Sequence, residues 1–207
     1  MSVAVVTYYR VMGRWEPNPR GRLAQAAMTL YAEQGFEQTT AAEIAARAGL
    51  TERTFFRHFA DKREVLFYGA DSLRDLLVRA VADAPAAATA MDAVSAALRA
   101  AAAMVQENPQ AARLREAVVS ANPELQEREL AKFADLVAAM DAALRDRGIP
   151  GPAASLAAEM GVALFKVAFA WWISQPGQPD LTAIIRESTG ELRELLTGRL
   201  ARSPSPS

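Results

Sequence analysis

Apolar residues along this chain recur at three- and four-residue intervals, and no stretch alternates with the two-residue period of a half-buried strand. Leu23, Ala27, Leu30 and Tyr31 share one face of a helix expected over residues 19 to 34, and Ile44, Ala48, Leu50, Phe55 and Phe59 supply a second apolar side. The punctuation between these runs is legible. Asn18-Pro19, Asn108-Pro109 and Asn122-Pro123 each offer an N-cap followed by proline at the first helical position. Gly35 closes the first helix. Thr40 and Glu43 form a T-x-x-E capping box that starts a second helix through about Ala48, and Gly49 stops it. Thr51 caps a third helix through Phe59, and Asp61 with Glu64 caps a fourth that continues to Asp83. Pro85, within Ala84 to Ala88, marks the expected boundary between two parts. Beyond it helices are expected over residues 89–107, 109–120, 123–147, 153–174 and 181–201, with breakers at Gly148 to Pro152 and Pro176 to Pro179. The prediction is an all-α protein of about nine helices.

Composition agrees with that reading. The hydrophobic share of the 207 residues is 51%, but aromatics make up only 7%, so it rests on alanine, a strong helix former. The absence of cysteine excludes disulfides, thiolate zinc sites and cysteine nucleophiles. One histidine and no phosphate-binding glycine loop leave few catalytic options, so neither an enzyme nor a cofactor or metal site is expected. The start MSVAVVTYYR lacks a basic segment ahead of a long apolar run, which predicts a cytoplasmic protein. Ala157 to Ile173 is apolar but carries Glu159 and Lys166, and reads as a buried helix rather than a membrane span.

Charge changes the picture once it is divided along the chain. The net value is −1, yet residues 1–22 carry four arginines against one acid, and residues 47–63 carry Arg47, Arg53, Arg57, Lys62 and Arg63 against Glu52 and Asp61. Such local positive charge attracts phosphate without making the protein basic as a whole.

The second of these basic segments coincides with a helix, a glycine turn and another short helix. Two helices crossing closely need a small residue at the contact, and Ala45 with Gly49 has that A-x-x-x-G spacing. On a helical wheel Phe55 and Phe59 point inward, while Arg53 and Arg57 fall together on the opposite side. An exposed pair of arginines at this spacing can enter a major groove, where the guanidinium forks match the acceptors of guanine. The same pair is equally compatible with a solvated basic face.

Residues 49–62, GLTERTFFRHFADK, resemble the recognition region of the tetracycline-repressor (TetR) family, and the preceding TLYAEQGFEQTTAAEIAARAG resembles that family's first two helices. The resemblance covers about residues 20–68. It implies a three-helix helix-turn-helix DNA-binding domain over residues 19–68, with the fourth helix as connector, and a ligand-binding and dimerisation domain over residues 84–202. Residues 1–18 are expected as a flexible basic arm including Arg10 and Arg14, with Arg20 and Arg22 beside it, and residues 203–207 as a disordered tail. By the resemblance, Thr40 caps a helix and contacts a phosphate. Thr51, Glu52, Arg53 and Thr54 read bases and grip backbone, with Arg57 as the second outward arginine, and His58 and Lys62 match phosphate contacts. Phe56 stands where tyrosine is usual, so the hydroxyl that commonly reaches a phosphate is missing.

The partners that follow from the resemblance are a double-stranded DNA operator, a small-molecule effector and a second copy of the chain. One recognition helix reads few base pairs, so two copies on a two-fold axis are needed, with half-sites about 34 to 36 Å apart. Pairing is expected through residues 153–174 and 181–201, with Leu156, Met160, Leu164, Leu181, Ile184, Ile185, Leu192 and Leu196 as interface candidates. Met104, Phe133, Met140, Phe165, Phe169 and Trp172, with Leu114 and Trp171 beside them, are candidates to line an apolar pocket. The rival reading is a small-molecule carrier with weak or vestigial DNA binding.

Overall fold

The computed structural model describes residues 18–177 and 179–198, and among these it holds nine α-helices and no strand. They are α1 (Pro19–Gln34), α2 (Ala41–Arg47), α3 (Glu52–His58), α4 (Ala70–Ala82), α5 (Ala90–Gln106), α6 (Pro109–Ser120), α7 (Pro123–Asp146), α8 (Gly151–Ser174) and α9 (Leu181–Leu196). A 3-10 turn, Glu64–Phe67, stands between α3 and α4. Asn18 and Asn108 cap as expected, accepting from the amides of Arg20 at 3.1 Å and Ala111 at 2.9 Å. Asn122 instead donates its side-chain amide to the Val118 carbonyl at 2.6 Å. The arm residues Arg10 and Arg14 and the tail 203–207 lie outside the described residues.

The expected fourth helix does not run unbroken from Asp61 to Asp83. Its cap forms, with Asp61 Oδ1 accepting from the amides of Arg63 and Glu64 at 2.8 and 3.0 Å. The winding is then 3-10, and α4 begins only at Ala70. Arg115 of α6 supplies the physical reason. Its Nε donates at 3.0 Å to the Leu66 carbonyl, the group that would accept from Ala70 in a continuous α-helix.

Two compact units form, and they interleave in sequence. The first comprises residues up to Arg74 together with Val105–Asp135, and the second Asp75–Met104 together with Leu136 onward. The sequence boundary expected at residue 84 is therefore not where compactness changes. Hydrophobic burial explains the difference, because Val118, Val119 and Leu125 join Leu23, Ile44, Phe55 and Phe67 in one core. Each fully buried large side chain there contributes roughly 1.5–3 kcal/mol of transfer free energy. Ion pairs add to this assembly: Arg128 binds Asp61 at 2.7 Å and Glu64 at 2.6 Å, Arg63 binds Glu124 at 2.5 Å, and Arg115 binds Glu129 at 2.7 Å.

In the second unit α8 and α9 pack together, with Ala154, Ala158, Leu164, Ala168 and Trp172 buried on α8 and Leu181, Ile184 and Ile185 buried on α9. Trp172 satisfies its indole N–H on the Pro179 carbonyl at 2.7 Å, as a buried tryptophan should. The segment around Pro85 is held rather than free. Arg147 donates to the carbonyls of Ala82, Ala84 and Pro85 at 3.0, 2.8 and 2.8 Å. By length and composition α8 could cross a membrane, but it is partly packed within this unit.

Candidate nucleic-acid interface

The pair α2 and α3 is set by its caps. Thr40 Oγ1 accepts from the Glu43 amide at 3.2 Å while the Glu43 carboxylate accepts from the Thr40 amide and hydroxyl, each at 2.8 Å. These bonds hold the Glu43 carboxyl below the usual carboxylate range, so the box stays formed at neutral pH. Thr51 Oγ1 accepts from the Thr54 amide at 3.2 Å, and the two hydroxyls lie 3.0 Å apart. Gly49 takes a φ of +66°, the left-handed conformation that lets the chain turn between the helices. Ala45 is buried in the core of this unit.

Phe55 anchors α3 from below. It is fully buried, lies 5.7 Å from the Phe59 ring, and Phe59 in turn meets Tyr68 at 6.2 Å. With that face committed, Glu52, Arg53 and Arg57 are left exposed, and no carboxylate among the described residues pairs with either arginine. Phe56 is 53% exposed and touches Phe55 edge-on, leaving an apolar ring on the outer surface. Thr40 and Thr51 are exposed as well, each at a helix start, where amide donors and the dipole favour an anion.

His58 is half-buried, and its Nε2 atom has no hydrogen-bond partner among the described residues. Burial first, then the charges of Arg57 and Arg20, push its pKa below the ordinary histidine value. The proton is therefore disfavoured on a ring whose Nε2 is itself buried.

Lys62, which the resemblance implies as a phosphate contact, is tied to the loop before α2 in this structure. Its Nζ donates to the carbonyls of Phe36, Glu37 and Thr39 at 2.8, 3.1 and 3.0 Å, and the ammonium sits 4.5 Å from the centre of the Phe36 ring. The two arginines expected beside the basic arm are also used inside the fold. Arg20 lies over the rings of Phe59 and Tyr68 at 5.4 and 5.3 Å. Arg22 donates to the Ala48 carbonyl, clasping the helix-turn-helix turn from α1. Arg47 is held by Glu33 at 2.8 Å. Of the basic residues in this region, Arg53 and Arg57 remain as outward charges without such ties.

The apolar candidates separate in the structure. Phe165, Phe169 and Trp172 come together on α8, with ring centres 6.0 and 5.8 Å apart in sequence order. Met140 is fully buried in the same unit. Met104 and Phe133 are half-buried and belong to different units. Leu114 packs against the core of the first unit, and Trp171 is 51% exposed, so neither joins the ring stack. Among the interface candidates Leu164, Leu181, Ile184 and Ile185 are core residues, whereas Leu156 and Leu196 are exposed and Met160 and Leu192 half-exposed. Val167, Trp171 and Leu195 are exposed large apolar residues that sequence reading did not assign to pairing. The signal for α8 was present in the spacing. Leu156, Met160, Ala163, Val167 and Trp171 fall at intervals of three and four, which puts them along one face of α8.

Comparison with known proteins agrees with this geometry. Residues 23–68 match the model of the bacterial regulatory proteins of the tetR family. An 81-residue stretch is 37% identical to the HTH-type transcriptional regulator TcmR of Streptomyces glaucescens, spanning 39% of this chain but only 36% of that relative's length. Among solved structures, the TetR-family repressor FadR of Thermus thermophilus in complex with lauroyl-CoA is similar over 91% of this chain and 98% of its own, with a TM-score of 0.56 and 26% identity. The transcriptional regulator FadR of Bacillus subtilis, in complex with stearoyl-CoA, shares the fold over 87% of this chain and 98% of its own at a TM-score of 0.62 and 19% identity. Residues 23–68, which hold the capped helix pair, are thus similar to the DNA-binding segment of the tetR family of bacterial regulatory proteins, and the chain shares its fold with solved regulators of that family.

Proposed function

We infer that the protein is a sequence-specific, ligand-responsive repressor, which leaves a palindromic operator when a small apolar or amphipathic molecule binds. The observation that carries this reading is the state of α3. Its inner face is committed to the core through Phe55, and Arg53 and Arg57 stand exposed side by side, without a partner among the described residues. A helix held this rigidly from behind can present guanidinium forks to guanine in a major groove. Thr40 and Thr51 at helix starts, together with His58, would grip the phosphates that flank it.

The exposed stripe of Leu156, Val167 and Trp171 on α8 supports pairing of two copies, which a palindrome requires. The ring stack of Phe165, Phe169 and Trp172 supports an apolar effector, in the manner of the lauroyl-CoA held by the T. thermophilus relative. Helices α4, α5 and α7 each contribute residues to both compact units, and α4, which follows the α3 segment, is the lever for a population shift from effector to operator. This function is regulatory rather than enzymatic and belongs in the cytoplasm, where the operator is.

Selection of binding sites from a random duplex library, followed by titration of selected and random duplexes across a salt series, tests the reading. A regulator retains a sequence-specific preference above the steep salt-dependent background. Binding that depends on salt alone, with no site enriched, favours a carrier with vestigial DNA affinity.

A further inference from the structure

Lys62 follows α3 in sequence, yet its side chain serves the loop that precedes α2. An ammonium has three N–H donors, and here all three are spent, on the carbonyls of Phe36, Glu37 and Thr39. The next residue, Thr40, is the N-cap of α2. At its other end Lys62 is fixed through its own carbonyl, which accepts from the Tyr31 hydroxyl of α1 at 2.7 Å. Tyr31 is buried and meets the Phe36 ring edge-on at 5.2 Å, and that ring lies under the ammonium. The positive charge of Lys62 also helps to hold down the pKa of the Glu43 carboxyl that closes the capping box.

One side chain thus joins the segment entering α2 to the segment leaving α3, while α1 holds its backbone. These three carbonyls converge on a single point, a pattern that a compact trigonal ammonium satisfies and a planar guanidinium does not. We propose that Lys62 is a positioning residue for DNA readout, setting the angle of the α2–α3 pair by clamping the 36–39 loop, and is not itself a phosphate contact. The proposal rests on the operator-binding reading above. Its consequence is that loss of Lys62 misaims Arg53 and Arg57 while leaving the electrostatic attraction to DNA almost intact.

Salt dependence separates positioning from phosphate contact, because each neutralised phosphate adds about 0.9 to the magnitude of the slope of log affinity against log salt. The experiment uses the full chain and its Lys62→Met and Lys62→Arg variants, with duplexes enriched by the wild type from a random library and a scrambled control. Circular dichroism melts first establish a temperature at which each variant is folded. At that temperature both variants should lose roughly tenfold or more in affinity for the enriched duplex and about twofold or less for the control, with a slope unchanged from the wild type. A slope reduced by about 0.9 in Lys62→Met, equal losses on both duplexes, and full function in Lys62→Arg would mark a phosphate contact and overturn the proposal. Failure of both variants to fold at any working temperature would also overturn it, by reducing Lys62 to scaffold alone. If the wild type enriches no site, the operator-binding reading fails instead, a result distinct from either variant outcome.

Discussion

Gly161 of α8 faces Val94 of α5 so closely that a Cβ on the glycine would lie 2.5 Å from Cγ1 of the valine. The two helices approach there because the glycine has no side chain to hold the valine away. Gly161→Ala gains about 1 kcal/mol of helix propensity, but a Cβ at that distance forces the helices to move, and overpacking of this kind costs about 1–3 kcal/mol. The expected net result is a lower midpoint in urea unfolding. Combining it with Val94→Ala should recover part of the loss, and purely additive effects in the double variant would show that the contact is not the cause.

Arg128 bridges Asp61 and Glu64, with all three side chains about one-third exposed. Partial exposure places the value of this bridge above that of a surface pair, at about 1–2 kcal/mol for Arg128→Ala. Asp61 is the more sensitive position, since its Oδ1 also caps the 3-10 turn. Asp61→Asn should therefore destabilise in both low and high salt, whereas the Arg128→Ala loss should shrink as salt rises. Denaturant melts at two ionic strengths distinguish these behaviours.

The depressed pKa of His58 has opposite consequences for folding and for DNA binding. In the unfolded chain the histidine titrates near 6.5; in the folded protein burial and then Arg57 and Arg20 disfavour its proton. Its stability contribution is complete above the unfolded pKa and is lost as pH falls from there through the lower folded pKa. Nε2 is buried in the free protein; in the phosphate role that the resemblance implies for His58, DNA binding uncovers the ring and restores its proton, so operator binding should take up a proton and strengthen as pH falls from 7 towards 6. His58→Gln should flatten that dependence. An unaltered pH profile in the variant would remove His58 from the phosphate contacts.

Trp171 and Leu156 project from α8 and are more than half exposed, so charged substitutions there should leave the protomer core intact. Leu156→Glu combined with Trp171→Glu is expected to shift sedimentation from dimer to monomer with little change in helical content. Operator affinity should fall by two or more orders of magnitude, because half-sites bound singly lose the effective concentration of the second module. A dimer that persists in this variant would place the pairing surface elsewhere.

Local chemistry alone determined most of the helix map. The boundaries of α1, α2, α3 and α6 follow from Asn18, Thr40, Thr51, Asn108, Gly35 and Gly49, since capping and turn preferences act within a few residues, whereas α8 starts at Gly151, inside the expected breaker. The outward placement of Arg53 and Arg57 was likewise written in the helical period of Phe55 and Phe59. What only the tertiary structure decided are the uses of side chains that reach across sequence. Arg115, 49 residues from Leu66, takes the carbonyl at the break between the 3-10 turn and α4, and Arg22, expected beside a basic arm, and Lys62, expected at DNA, bond carbonyls within the fold. Long cationic side chains have a reach of several ångströms and no period of their own. A motif can place such a charge near the interface, but the carbonyls packed around it decide whether any donor is left for a phosphate.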